Sequence, residues 1–490
     1  MKFGYPVAIA GAVLLSVPGV WGTEWVTSEK LQDDILEVEL MKNLNRLNQI
    51  ARNNGGNRAF GYPGFAASRD YVFERANRFS HKIDSWIQDF PALFNNVDSI
   101  SFKVGEASYY VFGLTYSPST TPEGVTAQLV LGPGGPEGCT VDGYAGYDVK
   151  GKIVLVQRGT CPTGGTLAGR IRPAAAAGAS HVIIYNDVPS LVTGGTLSAP
   201  DPATLVSSGF INQVDGLALR DRLLAGEIIE AYFQQTQSIA TKITQNVFAE
   251  TKGGDPNNVI MFGAHLDSVK AGAGINDDGS GTSLILELLT SLEKYQVKNK
   301  VRFAWWGAEE NGLVGSRYYT SNLNQTEADK ILLYINFDMV SRGYYGVFDG
   351  DGSTHGLAGA PGSEVIEKLF VDYLTGKGIT VTPAVFTGGS DYASFMDTLH
   401  KPVGGLHTGT GVAQDPCYHQ ACDDYSNPNS TVLTVNAKAA AHVLATLALD
   451  GHNMIPKNMT RDVRRDIAGE FVWSTPREDE RHVGTCGQDT

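Results

Sequence analysis

The feature that most constrains this fold is a regular alternation of strand-like and helix-like segments from about residue 257 onward. The strand-like segments include NVIMFGAHLD, VRFAWWGA, KILLYINFDMV and ITVTPAVF, and helix-like segments such as GSGTSLILELLTSLEKY separate them. Within that helix, Leu284, Leu288 and Leu292 share one face. The alternation predicts an α/β fold with a mostly parallel, mixed sheet and helices on both faces. In such sheets the chemistry gathers at the carboxyl ends of the strands.

The first half of the chain differs in texture and divides into two parts. Helical spacing of leucine and isoleucine from residue 23 to about 50 continues, in our interpretation, through HKIDSWIQDF, and SYYVFGLTYSP follows as an alternating strand. The next part is rich in glycine and proline, with short β-branched strands around an alanine-rich helix, which predicts a small β-rich inserted domain. The predicted order is a signal peptide at 1–22, the first part of the main domain at 23–116 with a candidate propeptide at its start, the insert at 117–235, the rest of the main domain at 236–453 and a surface tail at 454–490.

The amino terminus indicates secretion. Lys2 precedes an apolar run that ends with small residues, Val20 and Gly22, at the third and first positions before a cleavage site, as in secretory signal peptides. An uncleaved membrane anchor is disfavoured because the run is short and contains Pro18. No later apolar run is long enough to span a bilayer, so stable membrane insertion is not expected. The sequons at Asn324, Asn429 and Asn458 also fit a secreted glycoprotein.

Charge and cysteine content narrow the possible functions. The 490 residues carry a net charge of −14, which argues against a nucleic-acid partner. Five cysteines are too few to form a disulfide framework, so a packed core must hold the fold. Cys139 with Cys161 and Cys417 with Cys422 are candidate local disulfides, and Cys486 is left over.

Acidic and imidazole side chains follow the predicted strands. His265 and Asp267 close the first strand and, two residues apart on an extended chain, point to the same side, which suits a histidine ligand with a carboxylate on its other ring nitrogen. Each motif alone has an ordinary explanation, since HxD arises by chance and DDG is commonly a turn with a helix cap. The other candidates are Asp277 and Asp278 in GINDDGSG, Glu309 and Glu310 in WWGAEENGLVGS, Asp338 in YINFD and His419 in PCYHQACDD. Chance does not readily place so many potential ligands at the ends of consecutive strands.

The adjacent pair Glu309 and Glu310 raises an electrostatic problem. Two anions in one cleft repel each other and are costly to bury unless a positive charge lies between them or one keeps a proton. The candidate ligand set is two histidines and three carboxylates, with no thiolate, and these donors suit zinc. A catalytic zinc uses three protein ligands, so five ligands fit two ions if one carboxylate bridges them. One glutamate would then bind metal, and the other would act on water at the site.

Seven motifs resemble those of a known family. HLDS, GINDDGSG, WWGAEENGLVGS, INFDM, GGSDYASF, GGLHTG and YHQACDD are similar, in order and spacing, to the secreted and vacuolar di-zinc aminopeptidases of the aminopeptidase Y and secreted leucine aminopeptidase type. The resemblance covers about residues 40–116 and 236–450, and it implies a zinc-exopeptidase fold. Residues 117–235 resemble the protease-associated domain that is inserted at this place in such enzymes.

The resemblance implies two zinc ions and their ligands. The first zinc would be held by His265 and Asp338, the second by Glu310 and His419, and both by a bridging Asp277. The Cys417–Cys422 pair would brace the loop that carries His419.

The resemblance also implies roles for residues around the metals. Glu309 would be the general base and acid, Asp267 would orient a histidine ligand, and Tyr418 would stabilise the oxyanion. Asp391 would support the substrate site, and His407 would line it in place of the aromatic residue of many relatives.

The expected protein is therefore a secreted or vacuolar zinc aminopeptidase, and we expect a monomer. It would remove leucine-like hydrophobic residues from peptides with a free N-terminus, which the resemblance makes exopeptidic. A single-zinc aminoacyl cyclase, a carboxypeptidase of the same fold and a non-catalytic receptor-like protein remain alternatives. The presence of Asp277, Glu309 and Glu310 together argues against the non-catalytic protein.

Overall fold

The computed structural model describes Met1 and residues 24–457. The predicted signal peptide beyond Met1 and residues 458–490 of the predicted tail, with Cys486, lie outside the described residues.

The helices are α1 (Ser28–Asp34), α2 (Glu37–Asn53), α3 (Pro63–Asn77), α4 (Ala168–Ala176), α5 (Gln213–Leu224), α6 (Gly279–Leu292), α7 (Val314–Asn322), α8 (Gln325–Lys330), α9 (Ser363–Gly376), α10 (Tyr392–Leu399) and α11 (Ser430–Met454). The strands are β1 (Ile83–Val104), β2 (Ala107–Tyr109), β3 (Phe112–Gly113), β4 (Val125–Leu131), β5 (Ile153–Gln157), β6 (His181–Tyr185), β7 (Ser208–Ile211), β8 (Ile229–Thr251), β9 (Asp255–His265), β10 (Asn299–Trp306), β11 (Ile331–Phe337), β12 (Tyr345–Phe348), β13 (Val381–Ala384) and β14 (Val403–Leu406).

Four parallel strands form the centre of the main sheet. They are neighbours in the order β14, β11, β9 and β10. On one side β8 pairs antiparallel with β10, and on the other β12 pairs antiparallel with β14 and parallel with β13. The predicted mostly parallel, mixed sheet is confirmed. Because β9, β10 and β11 run in one direction, their carboxyl ends meet at a single edge.

Helices cover both faces of this sheet. Successive side chains of a strand point to opposite faces. In β9, Ile260 and Phe262 belong to a core cluster that includes residues of α6 and α11. Val259 and Met261 belong to a second cluster with residues of α7 and α10. The central strands are therefore apolar on both sides, and polar side chains collect only where the strands end.

A long two-stranded ribbon connects the main sheet to the insert. Strands β1 and β8 pair antiparallel along nearly their whole length, from Ile83 with Thr251 to Val104 with Ala231. Beyond the main sheet β8 pairs with β4, and β4, β5, β6 and β7 are parallel neighbours packed around further core clusters. The predicted boundary between residues 235 and 236 lies within β8. The chain thus passes from the main sheet to the insert along one continuous strand.

The prediction of helix through HKIDSWIQDF is wrong. Residues from Ile83 onward form β1, and Phe90 pairs with Thr244 of β8, far along the chain. The exposed and buried positions of this segment follow the ribbon rather than a helical period. A distant partner strand decides the structure here, because strand preference depends on cross-strand packing more than on local sequence.

The expectation that no later apolar run is long enough to span a bilayer is wrong, because helix α11 qualifies by length and composition. Within the described residues it is the one helix to do so, and 67% of its most apolar window is buried inside the protein. Leu444 and Leu447 are fully buried in the core cluster shared with β9 and α6. Such burial is typical of the central helix of a core, so α11 is weak evidence for a membrane.

The first described segment, which the sequence left as a candidate propeptide, contributes to the core. Leu31 in α1 is fully buried, and Val26 and Ile35 beside this helix are buried as well. All three belong to the cluster that contains the residues of α6 and α11. A cut after residue 36 would remove these side chains from the main core.

We expect Leu31→Ala to lower the free energy of unfolding by about 2–5 kcal/mol, because it leaves a cavity in a fully buried site. Val38→Ala, at a position that is 67% exposed, is the matched control and should change stability by less than about 0.5 kcal/mol. Urea unfolding followed by tryptophan fluorescence measures both. Equal midpoints for the two variants would show that α1 adds nothing to the core.

Candidate metal centre

Five side chains predicted as metal ligands meet at the carboxyl edge of the sheet. His265 is the last residue of β9, Asp338 directly follows β11, and Glu310 follows β10. Asp277 lies in the loop before α6, and His419 lies in the loop between β14 and α11. All of these side chains are largely buried. Adjacent parallel strands and two loops therefore bring together residues that are far apart in sequence.

Asp277 lies between the two histidines. Its Oδ1 is 3.0 Å from Nε2 of His265, and its Oδ2 is 3.2 Å from Nε2 of His419. His265 Nε2 is also 3.6 Å from Asp338 Oδ1, and His419 Nε2 is 3.2 Å from Glu310 Oε2. The ligand atoms thus form two groups that share one carboxylate.

The charges of this cluster perturb each other strongly. Burial by itself lowers the pKa of His265, but the carboxylates of Glu309 and Asp338 outweigh it and hold that pKa well above its ordinary value. His419 responds in the same way to Glu310 and Asp277, and its pKa rises to about 10. Burial alone raises the pKa of Asp277, yet hydrogen bonds with the two histidines bring it below its ordinary value. The cluster therefore needs positive charge, which protonated imidazoles or a cation can provide.

The residues present fit a divalent cation of the zinc type. Imidazole nitrogens and carboxylate oxygens without a thiolate are the donor set that zinc accepts readily. Glu310 Oε1 is buried and has no hydrogen-bond partner among the described residues. A buried carboxylate oxygen of this kind is costly unless a cation or donor meets it. His265, Asp277 and Glu310 also place one ligand atom each within 4.8 Å of one another.

Glu309 stands beside the ligands and is 5% exposed. Burial is the main cause that raises the pKa of its carboxyl well above the ordinary value, and the charges of Asp391, Asp338 and Glu310 act in the same direction, against His265. A carboxylate that gains a proton easily is suited to general base and acid chemistry. Glu309 thus lies beside the predicted ligands, and its role as general base and acid stays a prediction.

Asp267 connects the ends of two adjacent strands. Its carboxylate accepts the backbone N–H groups of Glu309 at 3.0 Å and Glu310 at 3.3 Å. Nδ1 of His265 is 3.2 Å from the backbone oxygen of Asp267 and 3.8 Å from its carboxylate. The residue thus contacts His265, as expected, but mainly through its main chain, while its carboxylate positions the glutamate pair.

Asp278 has a structural position that the sequence indicated only as a helix cap. It is the N-cap of α6, and its carboxylate accepts the N–H of Gly281 at 2.8 Å. The same carboxylate accepts the N–H of His265 at 3.1 Å and of Met339 at 3.2 Å. It therefore joins the ends of β9 and β11 to the start of α6.

Sequence reasoning missed Arg58, because no motif surrounds it. Its fully buried guanidinium donates to the backbone oxygens of Leu266, Ala273 and Gly274 and thereby holds both ends of the loop after β9. Burial lowers the pKa of Arg58, and the nearby charges of Asp267, Asp278, Asp423 and Asp277 raise it. Arg58 is thus a fixed cation behind the acidic cluster.

Ser390 in GGSDYASF and Asp423 in YHQACDD had no role predicted from the sequence. Asp423 accepts the backbone N–H of Asn276 at 2.8 Å and of Asp277 at 3.0 Å, which fixes the loop that carries Asp277. Ser390 donates to Oδ2 of Asp338 at 2.5 Å. Hydrogen bonds of this kind orient metal ligands.

The remaining predicted residues lie close to this cluster. The ring of Tyr418 stacks on His419 with 3.8 Å between centroids. His407 Nδ1 is 2.8 Å from the backbone oxygen of Asp338. The Asp391 carboxylate is buried near Ser316, and burial raises its pKa to about 7. The structure also forms both predicted disulfides, Cys139–Cys161 and Cys417–Cys422.

A cavity of about 550 Å³ opens beside the cluster. Glu310 and His419 line its inner end, and Phe60 and Phe94 form an apolar wall. Residues 193–196 of the insert contribute another wall. The volume lies in the range of small-molecule sites.

The fold and the cluster together have the form of a metallohydrolase. The Peptidase family M28 model matches residues 246–444, and the PA domain model matches residues 125–219. A probable leucine aminopeptidase 2 from Aspergillus oryzae is 37% identical over 468 residues, 91% of this chain and 91% of that protein. The chain therefore belongs to peptidase family M28, with an inserted PA domain.

Solved structures are similar over most of the chain. An aminopeptidase from Aneurinibacillus sp. strain AM-1 superposes with a TM-score of 0.72 at 27% identity, covering 86% of this chain and 96% of that one. BSAP, a zinc aminopeptidase from Bacillus subtilis, gives 0.65 at 22% identity, with 85% and 96% coverage, and this second likeness supports the fold alone. The predicted family, fold class and peptidase class are confirmed.

We expect Arg58→Met to weaken metal retention by about 10–100-fold, because the loop after β9 loses its fixed cation and its three hydrogen bonds. The unfolding free energy should fall by about 3–5 kcal/mol, as when one partner of a buried charge cluster is removed. Metal competition with a chelating dye and thermal unfolding provide the two measurements.

Two further variants make this test decisive. Arg58→Lys keeps the charge without the planar fork and should retain more metal than Arg58→Met. Arg52→Met, at an exposed position in α2, is the matched control. Unchanged metal affinity in a folded Arg58→Met protein would reject the positioning role.

Proposed function

We propose that this zinc aminopeptidase uses two zinc ions to remove hydrophobic, leucine-like residues from the N-terminus of peptides outside the cell. The observation that carries the proposal is the position of Asp277, 3.0 Å from one imidazole and 3.2 Å from the other. A carboxylate shared in this way is suited to bridging two ions. Membership of family M28 supports the reaction class.

The ligand sets of the two ions follow from the two groups of side chains. His265 and Asp338 would hold one ion, Glu310 and His419 the other, and Asp277 both. Zinc bound there supplies a Lewis acid and lowers the pKa of a water towards ~7. Without cations, the buried anions of the cluster would repel one another.

Glu309 moves the proton in the proposed reaction. Its carboxylate takes a proton from the attacking water and delivers it to the nitrogen of the leaving peptide, so the same group acts first as base and then as acid. Burial and neighbouring anions raise the pKa of Glu309, which favours temporary protonation. The Asp267 carboxylate accepts the backbone N–H of Glu309 and so fixes the position from which the Glu309 side chain extends.

Tyr418 and the substrate residues complete the proposal. The Tyr418 ring lies against His419, and its hydroxyl would donate a hydrogen bond to the oxyanion that develops on the scissile carbonyl. His407, beside the main chain of Asp338, and Asp391, a buried carboxyl near Glu309, remain the proposed substrate-site residues. The relatives named leucine aminopeptidase support a leucine-like preference.

Secretion, or delivery to a vacuole, belongs to the same proposal. The predicted signal peptide supports entry into the secretory route. The disulfides Cys139–Cys161 and Cys417–Cys422 support it as well, because such bonds persist in oxidising compartments.

We expect Glu309→Gln to reduce kcat for leucyl-p-nitroanilide by about 10²–10⁴-fold while both metals stay bound, because only proton transfer is lost. Glu310→Ala should instead lower zinc content, since it removes a ligand. Metal analysis and kinetics on the same samples separate the two effects. Glu230→Gln, at an exposed position of β8, is the control. Full activity in Glu309→Gln would exclude its role as base.

We expect complete chelation to abolish hydrolysis of leucyl-p-nitroanilide, and titration with zinc should restore it with an end point at two equivalents. The melting temperature should also fall on chelation, because a ligand bound only to the folded state stabilises it. N-acetylated leucyl-p-nitroanilide should not be cleaved, since it lacks a free amine. Activity that survives chelation would contradict the proposal, and an end point at one equivalent would reject the second ion.

A further inference from the structure

The lining of the cavity beside the metal centre contains one acidic side chain, Glu310, and one basic side chain, Lys270. Among its lining residues, Glu310 is the one acidic side chain, and it lies with His419 at the metal end. Lys270 is the one lysine or arginine in the same lining. Polar but uncharged side chains, including Asn95, Asn96 and Thr115, and apolar ones cover the rest. The cavity is therefore polarised between an acidic, metal-binding end and a cation.

Lys270 is held in place without an ionic partner. Its Nζ donates to Oδ1 of Asn96, and it lies 5.7 Å from the centre of the Tyr62 ring. The Tyr62 hydroxyl donates to the same Asn96 oxygen at 2.6 Å. Lys270 forms no ion pair with any described residue. An ammonium has three N–H donors, so donors remain for an anion that enters the cavity.

The chain length between Lys270 and the metal centre limits their separation. Lys270 follows Asp267 by three residues, and Asp267 accepts the N–H groups of Glu309 and Glu310. Three residues span at most about 11 Å, at 3.3–3.6 Å per residue. An extended di- or tripeptide has about the same length. The backbone of Lys270 therefore lies no farther from Asp267 than an extended di- or tripeptide is long, so a short peptide that starts at the metal cluster can span this distance.

The insert contributes residues to the lining of this cavity. Residues 193–196 of the insert line the cavity together with Gly113 and Thr115, which directly precede the insert. The ribbon strand β1 contributes Asn95 and Asn96 to the same lining. The volume of about 550 Å³ is therefore lined by residues of both the insert and the main domain.

We infer that the cavity selects short peptides with a free C-terminus, and that Lys270 receives their terminal carboxylate. The inference rests on the proposed function, because the metal centre must hold the amino end. Asn96 and Tyr62 position the ammonium, and the apolar wall of Phe60 and Phe94 contacts the intervening side chains. The substrate class is that of di- and tripeptides, the late products of protein digestion.

The test compares the tripeptide Leu-Gly-Gly with its C-terminal amide. For the wild-type protein, kcat/KM should be about fivefold higher for the free acid, mainly through KM, as expected for one partly exposed ion pair. Lys270→Met should bring the ratio to about one, and Lys270→Glu should make the amide the better substrate. Because the ratio is measured within one variant, it does not depend on how much active protein each preparation contains.

Controls separate this inference from the proposed function. Lys252→Met, which removes an exposed lysine directly after β8, should keep the fivefold ratio. Wild-type protein that cleaves leucyl-p-nitroanilide but treats both tripeptides alike would overturn the inference alone, as would an unchanged ratio in Lys270→Met. Failure to cleave leucyl-p-nitroanilide at full zinc loading would overturn the proposed function and the inference with it.

Discussion

The carboxylate of Asp277 between two imidazoles is the contact on which the rest of the site depends. It draws His265 from the end of β9 and His419 from a distant loop to within 3.0 and 3.2 Å of one group. A buried carboxylate in this position is stable only when positive charge surrounds it. The fold therefore has to supply cations and hydrogen-bond donors wherever it brings these acids together.

Buried carboxylates next to the ligands hold the backbone in place. Asp267 joins the end of β9 to the residues after β10, Asp278 joins β9 and β11 to α6, and Asp423 fixes the loop of Asp277. Each accepts backbone N–H groups of strand ends, loops or the first turn of α6, where these groups need a partner. Arg58 adds a cation behind them. The acids of this edge thus divide into those that face the metal site and those that hold the loops around it.

Local patterns in the sequence were enough to predict the edge of the sheet and the side chains that meet there. Strand ends in a parallel sheet meet, so His265, Glu310 and Asp338 could be placed together from their positions in the chain. Arg58 could not, because its partners are carbonyl oxygens, which leave no trace in the sequence. Asp278 could be recognised as a cap but not as a link between two strands. The helix expected at HKIDSWIQDF failed because β1 is determined by a strand from another part of the chain.

That same ribbon has two functions in the structure. Strands β1 and β8 connect the main sheet to the insert, and β1 also supplies Asn95 and Asn96 to the cavity beside the metal centre. The pairing runs on both sides of one register shift, between Val97 and Ser99, so the ribbon couples the positions of its two ends. The insert and the wall of the cavity are therefore fixed by one element. A shift of the insert would move the residues that line the cavity, whereas His265, Glu310 and Asp338 would stay with the main sheet.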